Sequence, residues 1–400
     1  DRSKPIDADT SEGSFVSHLR GWSEIAPDIL VWDYVIQFTN MIAPFPNLAV
    51  LGPNLKLFRK YGVRAVFEQG CRGTYSENQE LRRYLLARLL WNPDLDVDSL
   101  VAGFAADYYG NASPYILQYH RAMAEALRYS GKNLTIYGSP MQETDAFLDQ
   151  ASLSVYENLF TLARAAVAGD PEQAARVEMA RLPLQYARIE VSKRYITGPG
   201  GFLEPAADGD GYRVIPGMET AVGDFVQMAV KYGVKTVHER SKPPEVYGQE
   251  TLDFFRRAWS GHLARGKPYT LAHGPAGQYG AEGPGSLTDG KRGSANYFVL
   301  WQGFEENDLV AVIDLGAPVR FNYAGAEFLQ ETASWIFCPL SLVVSVSGDG
   351  TDFREAAVVS PVECNDPSAI REAGAVFGEV EARYVRFHAR NTGRCPPWHI

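Results

Sequence analysis

Two short apolar runs each carry a carboxylate near the C-terminal end: Ile29-Leu30-Val31-Trp32-Asp33-Tyr34, then Val63-Arg64-Ala65-Val66-Phe67-Glu68-Gln69-Gly70. Each has the length and the β-branched or aromatic enrichment of a buried strand, and the stretch between them reads as loop and helix. Together they predict consecutive βα units, an architecture whose strand C-termini line the active site. Asp33 with Trp32 and Tyr34, and Glu68 with Gln69, combine acids, an amide and aromatic faces where a polar, ring-shaped ligand can be held. A sugar fits that description better than a nucleotide.

The 400 residues suggest two to three domains, and a hydrophobic share of 46% is ample for their cores. A formal net charge of -10 without clustered Lys and Arg disfavours nucleic acid or an anionic membrane as partner. No apolar run reaches the roughly 18 residues of a transmembrane helix. An aromatic share of 12% suits sugar stacking and core packing equally. Cys71, Cys338, Cys364 and Cys395 form no CxxC pair and no metal-like spacing. A bridge from Cys338 or Cys364 to Cys395 fits an oxidising compartment, with free thiols the equal alternative. The sequence starts at Asp1 with neither an initiator Met nor a secretory segment, which predicts processing or truncation.

Helical patterning is read over 14–25, 48–61, 77–91, 97–109, 112–130, 143–169, 171–196 and 218–232. The Pro-rich Ala43-Pro44-Phe45-Pro46-Asn47 follows the first strand, and 234–247, with Pro243-Pro244, reads as irregular. Gly and Pro crowd together over 272–290, which places a domain boundary there. Beyond it 309–315, 342–347, 356–359 and 383–389 alternate as short strands, the spacing of a β-sandwich.

Read as strings, Trp32-Asp33-Tyr34-Val35-Ile36-Gln37-Phe38, Pro44-Phe45-Pro46-Asn47, Phe67-Glu68-Gln69-Gly70, Leu89-Leu90-Trp91-Asn92-Pro93 and Tyr108-Tyr109-Gly110 resemble glycoside hydrolase family 163. That bacterial family includes endo-β-N-acetylglucosaminidases acting on complex N-glycans, many first catalogued under a domain of unknown function of the 4838 type. The resemblance covers about residues 1–270. Leu287-Thr288-Asp289-Gly290, Trp301-Gln302-Gly303-Phe304, Ile313-Asp314-Leu315-Gly316, Val346-Ser347-Gly348-Asp349-Gly350 and Ala382-Arg383-Tyr384-Val385 are similar to the discoidin-like (F5/8 type C) sandwich appended to many bacterial glycosidases. That match covers about 285–400.

The fold class these resemblances imply is α/β plus all-β: the C-terminal part of a (β/α)8-type barrel over 1–130, a helical region over 131–270, and a discoidin-like β-sandwich over 285–400. Two departures matter. The family's barrel begins well upstream of two βα units, and the sandwich stops before its expected closing strand, so a segment of a longer protein is expected. The implied activity is glycoside hydrolysis of host N-glycans by a secreted, periplasmic or cell-surface bacterial protein. A non-catalytic carbohydrate-binding protein, and another hexosaminidase-like or α-glucuronidase-like specificity, are the competing readings.

Glycoside hydrolysis normally needs one carboxyl to protonate the leaving oxygen and another to activate water or attack the anomeric carbon. Asp33 and Glu68 meet that requirement by residue type. An N-acetylglucosaminide's own acetamido group can replace the nucleophile, leaving one acid and one orienting carboxylate. Glu68 is the better acid, since Val66 and Phe67 supply apolar surroundings that raise a carboxyl pKa. The bland alternatives are an ion pair of Glu68 with Arg72 or Arg64, and for Asp33 a hydrogen bond to a sugar hydroxyl or a cap on the following loop. Trp32 and Tyr34 flank the acid, so at most one is expected to share its pocket while the other packs under a helix. Gln37, Asn47 and Gln69 are candidate sugar contacts, although loop amides more often satisfy their own backbone.

No cofactor is required for this chemistry, and no metal ligand set is read for it. In the C-terminal part the discoidin resemblance adds Arg292, Trp301 and Trp335 as ligand contacts and a structural calcium as expectations. Core packing of the two Trp is the equal alternative. The expected partner is a glycan or glycoprotein.

Overall fold

The computed structural model describes residues 1–71, 75–207, 211–280, 283–298, 300–360, 362 and 366–393. They form two compact units: Asp1–Tyr195 with Pro199–Phe202 and Ile215–Leu252, and Ile196–Gly198 with Leu203–Val214 and Asp253–Ile400. Most of residues 131–252 thus share a unit with the first 130, and the later boundary falls at Leu252, before the Gly/Pro-rich stretch.

The first unit runs α1 (Phe15–Ile25), β1 (Ile29–Tyr34), α2 (Leu48–Lys60), β2 (Val63–Gln69), α3 (Gln79–Trp91), α4 (Val97–Tyr109), α5 (Ser113–Ser130), α6 (Gln150–Ala166), α7 (Pro171–Tyr195) and α8 (Met218–Lys231). A further helix, α9 (Pro244–Arg257), begins here and crosses the boundary. Side-chain caps set several starts: Ser14 Oγ accepts from Ser17 N, and Asp96 accepts from Ser99 N. The helix predicted over 143–169 starts only at Gln150, because Asp149 caps it through Ala151 N and Ser152 N. Residues 143–149 fold instead as a turn, with Ala146 N and Leu148 N donating to the Glu143 carbonyl. Where 234–247 reads as irregular, Pro244 opens α9, a position at which its missing N–H is not needed.

β1 and β2 pair in parallel, as two consecutive βα units require, with α2 as the crossover. They are the two strands described in this unit, and the (β/α)8 closure expected from the resemblance is not seen among the described residues. One core gathers Val31 and Val35 with Leu19 of α1, Leu51, Leu55 and Phe58 of α2, and Leu81, Leu85 and Leu89 of α3. Another joins α4 to α7 around Tyr109, Tyr119, Met123, Tyr156, Phe160, Val177 and Leu184. Gly110 ends α4 at φ 53°, a backbone conformation that L side chains adopt only with strain, which favours glycine there.

The second unit holds a small hairpin, β3 (Leu203–Pro205) with β4 (Tyr212–Val214), and a five-stranded sheet. The sheet comprises β5 (Tyr269–Leu271), β6 (Leu309–Glu331), β7 (Ser341–Ser347), β8 (Arg354–Val359) and β9 (Ser368–Arg390), in the order β5-β6-β9-β7-β8. All its pairings are antiparallel. The four short strands read from the sequence are present, but two are parts of 23-residue strands, β6 and β9. Register shifts after Asp314 and Phe321 give this pair the local bend and twist of bulges, which makes the sheet sandwich-like.

Candidate functional site

The register of β1 and β2 decides which side chains work together. Leu30 stands beside Ala65, Val31 beside Val66, Trp32 beside Phe67, Asp33 beside Glu68 and Tyr34 beside Gln69. Side chains alternate across a strand, so Val31, Asp33, Val66 and Glu68 share one face and Leu30, Trp32, Tyr34, Ala65, Phe67 and Gln69 the other. The first face is the covered one, with Val31 and Val66 in the core beneath α1 and α2. The second is open: Leu30 is 64% exposed, Trp32 59% and Phe67 50%. This corrects the expectation that Trp32 and Tyr34 divide between the acid's pocket and a helix, because residues on either side of Asp33 must point the same way, opposite to it.

On the open face the Trp32 and Phe67 rings meet edge to face at 5.0 Å, and Trp32 Nε1 donates to Gln69 Oε1 at 2.6 Å. The indole is held upright by an amide while its ring stays in solvent. Tyr34 packs edge-on against Phe38 at 5.4 Å.

On the covered face Asp33 is buried and ion-paired with Arg2, and it accepts from Tyr34 N at 2.8 Å. The Arg2 guanidinium also lies 6.0 Å over the Tyr34 ring. Glu68 has no such partner: its buried Oε2 makes no hydrogen bond to the described residues. Burial and then the neighbouring Asp33 charge push the Glu68 carboxyl up to about 8, against the opposing pull of Arg2. The site therefore sets a neutral carboxylic acid beside a carboxylate. Of the ion pairs weighed for Glu68, Arg64 turns to Asp28 at 3.6 Å, and Arg72 lies outside the described residues.

The loops beyond the strands are tied by buried polar groups that the sequence did not single out. Phe38 N donates to the Ile136 carbonyl, and Thr39 Oγ1 and Asn40 Nδ2 both donate to the Gly138 carbonyl. Asn47 has both amide ends occupied, donating to the Val35 carbonyl and accepting from Arg82 Nη1 at 2.6 Å. Arg82 also forms a buried ion pair with Glu77, whose backbone N donates to the Met41 carbonyl. Asn47 thus braces the loop after β1 against α3. Gln37, by contrast, is buried with Oε1 unpartnered.

One further buried acid was missed. Glu143 is buried with Oε2 unpartnered, and burial raises its carboxyl to about 7 despite Lys132. It sat in a stretch read as a first helical turn, where an acid is routine. Burial, and then the Arg82 charge, lower His120 to about 4, which keeps the ring neutral.

In the second unit Arg292, Trp301 and Trp335 line one cavity of about 980 Å³. Trp301 is half-buried and donates from Nε1 to the Ser294 carbonyl, while Trp335 is 62% exposed. Gly293 is needed under Trp301, since a Cβ there would stand 2.2 Å from the indole. Arg292 pairs with Glu327 at 2.8 Å. Among the described residues no group of three His, Cys, Asp or Glu side chains is placed to hold a metal. Cys364 and Cys395, and with them the expected bridge, lie outside the described residues. No helix among the described residues is long and apolar enough to cross a membrane.

Residues 1–121 match the family described as Domain of unknown function (DUF4838). No curated protein matches the chain. Among solved structures, the chain is similar to chitosan-binding module 1 of a chitosanase/glucanase from Paenibacillus sp. IK-5, at 18% identity and a TM-score of 0.24 over 33% of this chain and 88% of that one. It is also similar to CpGH89CBM32-5 from Clostridium perfringens, in complex with GalNAc-β-1,3-galactose, at 20% identity and a TM-score of 0.23 over 31% and 83%. A Ruminococcus gnavus GH29 fucosidase in complex with fucose matches at 13% identity and a TM-score of 0.25, over 43% of this chain and 34% of the fucosidase. At these scores the likenesses say nothing about substrate or mechanism.

Proposed function

We propose that the chain is carbohydrate-active, and that it acts as a glycoside hydrolase with endo-β-N-acetylglucosaminidase-like action on complex N-glycans. The observation that supports this most is Glu68, a carboxylic acid that stays protonated at neutral pH, in register with the Arg2-bound carboxylate of Asp33 at the strand C-termini. In this reading β1 and β2 belong to a (β/α)8-type arrangement and the C-terminal sheet is discoidin-like.

Glu68 would donate its proton to the glycosidic oxygen as the bond to the anomeric carbon breaks. Asp33, fixed by Arg2, would orient the acetamido group or offset the developing positive charge. The Trp32 and Phe67 rings lie on the opposite face of the strands and cannot stack that same sugar ring.

The opposite placement of that aromatic face and the acids favours a second reading, binding without cleavage. One experiment separates the two. The full-length protein is incubated with a complex N-glycoprotein, and released glycans are read by mass spectrometry. Glycans carrying a single reducing-end GlcNAc, lost in Glu68→Gln, support hydrolysis. Binding without release supports the second reading, and undiminished release by Glu68→Gln removes Glu68 as the acid.

A further inference from the structure

In the second unit the end of α9 and the stretch after Asp289 run side by side. Ser260 N donates to the Gly290 carbonyl, Trp259 bridges to Lys291, and Arg292 N donates to the Ala258 carbonyl. This pairing gathers cations that lie far apart in sequence. Arg257 and Arg292 both reach Glu327 Oε1, at 3.5 and 2.8 Å, and Arg265 lies 5.3 Å over the Trp259 ring. Burial, and then Arg292 and Arg265, lower the His262 ring below its usual range, so these two cations act on one spot.

The acids at this place do not match the cations. Glu327 is shared by two guanidinium groups, Glu372 lies 3.6 Å from Arg292 and accepts from Tyr323, and Asp289 turns Oδ1 onto Lys291 N. Neither Arg265 nor Lys291 is ion-paired among the described residues. In a chain of formal net charge -10 such a patch is a local exception, and its unpaired charge attracts an anion. It faces solvent, since His262 and Arg265 are exposed and Lys291 and Arg292 half-buried. Rings adjoin it: His262, Lys291 and Arg292 line the same cavity as Trp301 and Tyr323. The Trp301 indole lies against Gly293, one residue past Arg292. Guanidinium beside aromatic faces suits a ring-shaped ligand carrying an oxyanion, which takes the fork while the ring stacks.

We propose that this patch binds an acidic saccharide, its oxyanion held by Arg265 and Arg292 and favoured by the unpaired charge of Lys291. The inference rests on the carbohydrate-active reading but not on hydrolysis, because it concerns the second unit alone. A carboxylate and a sulfate share this chemistry, and the test distinguishes them.

The full chain is titrated by calorimetry at low salt with a galacturonic acid oligomer, a sulfated galactan oligomer and inorganic sulfate. Saturable binding of one or both oligomers is expected, weakening as salt is added. The tighter oligomer tells whether the oxyanion is carboxylate or sulfate. Arg265→Gln and Lys291→Gln break no ion pair, and each is expected to weaken that oligomer about fivefold or more. Lys60→Gln on α2, an equal loss of charge in the first unit, is expected to leave it unchanged. Circular dichroism verifies folding of each variant. Release of glycans from an N-glycoprotein, seen or not, leaves these titrations unaffected, so failure of the hydrolase reading and failure of this site are distinguishable. Absence of binding by either oligomer, undiminished binding by the folded Arg265→Gln and Lys291→Gln variants, an equal loss in Lys60→Gln, or inorganic sulfate binding as tightly as the sulfated oligomer overturns the proposal.

Discussion

Asp33 and Glu68 stand side by side in the register of two parallel strands, yet among the described residues only Asp33 is ion-paired, with Arg2. Two carboxyls so close do not both ionise readily, and the one without a partner gives way. Glu68 holds its proton because it is largely buried, has no donor at Oε2 among the described residues and faces a charged neighbour.

That asymmetry makes stability depend on pH with a definite sign. Between the ordinary value of 4.5 and about 8 the folded chain keeps a Glu68 proton that the unfolded chain has released. Stability contributed by this group is therefore complete at acid pH and is lost as pH rises through 8, at up to ~1.4 kcal/mol per pH unit. Glu143, raised to about 7, adds a similar loss lower in the window. Glu68→Gln is expected to flatten the decline between pH 7 and 8 in urea unfolding. Parallel declines in parent and variant there would show that Glu68 is not its source.

Arg2 opposes the raised affinity of Glu68 for its proton. Replacing it by Met should move the Glu68 titration to still higher pH, because burial and Asp33 then act unopposed. Carboxyl carbon NMR of labelled glutamate reads this directly. A midpoint that stays put or falls would mean that Arg2 does not reach Glu68 in solution.

The βα character of the first unit was legible because apolar runs at 29–34 and 63–69 are bounded by turn and helix signals that local sequence carries. The side assignment of Trp32 followed from the pleat alone and was open to correct reading. Other features had no local signature. Arg2 reaches Asp33 across 31 positions, and Arg82 reaches Asn47 across 35, contacts that only the folded chain creates. Glu143 looked like an ordinary first-turn acid because the Asp149 cap, which delays α6, competes with an equally helical stretch before it. In the second unit the short alternating strands were visible, but continuous β6 and β9 were not, since the pairing shifts register between Asp314 and Val319 and between Phe321 and Tyr323, leaving Gly316 and Gly378 unpaired inside the strands.

Trp32 is expected to separate binding from folding. Its ring is mostly solvated, so Trp32→Ala should change stability by less than about 1 kcal/mol. If it is the sugar platform, the same change should raise KM for an N-glycoprotein several-fold, with kcat altered less, through loss of about 1 kcal/mol of ring contact. An unchanged KM would assign Trp32 to some other partner.

The Arg82 and Glu77 pair offers the sharpest stability test in the first unit. Both side chains are almost wholly buried, and Arg82 ties the loop after β1 to the start of α3 through Asn47, the Phe45 carbonyl and Glu77. Burial raises the Glu77 carboxyl while Arg82 works against it, so removing Arg82 strands an acid in an apolar setting. Arg82→Met should cost about 3–5 kcal/mol, whereas adding Glu77→Gln to it should restore part of that loss, because the stranded charge is gone. Urea unfolding of the two single variants and the double variant gives the coupling energy. Strict additivity would show that the two side chains act independently, and the brace on the Asp33 strand end would then have to rest on Asn47 and the backbone.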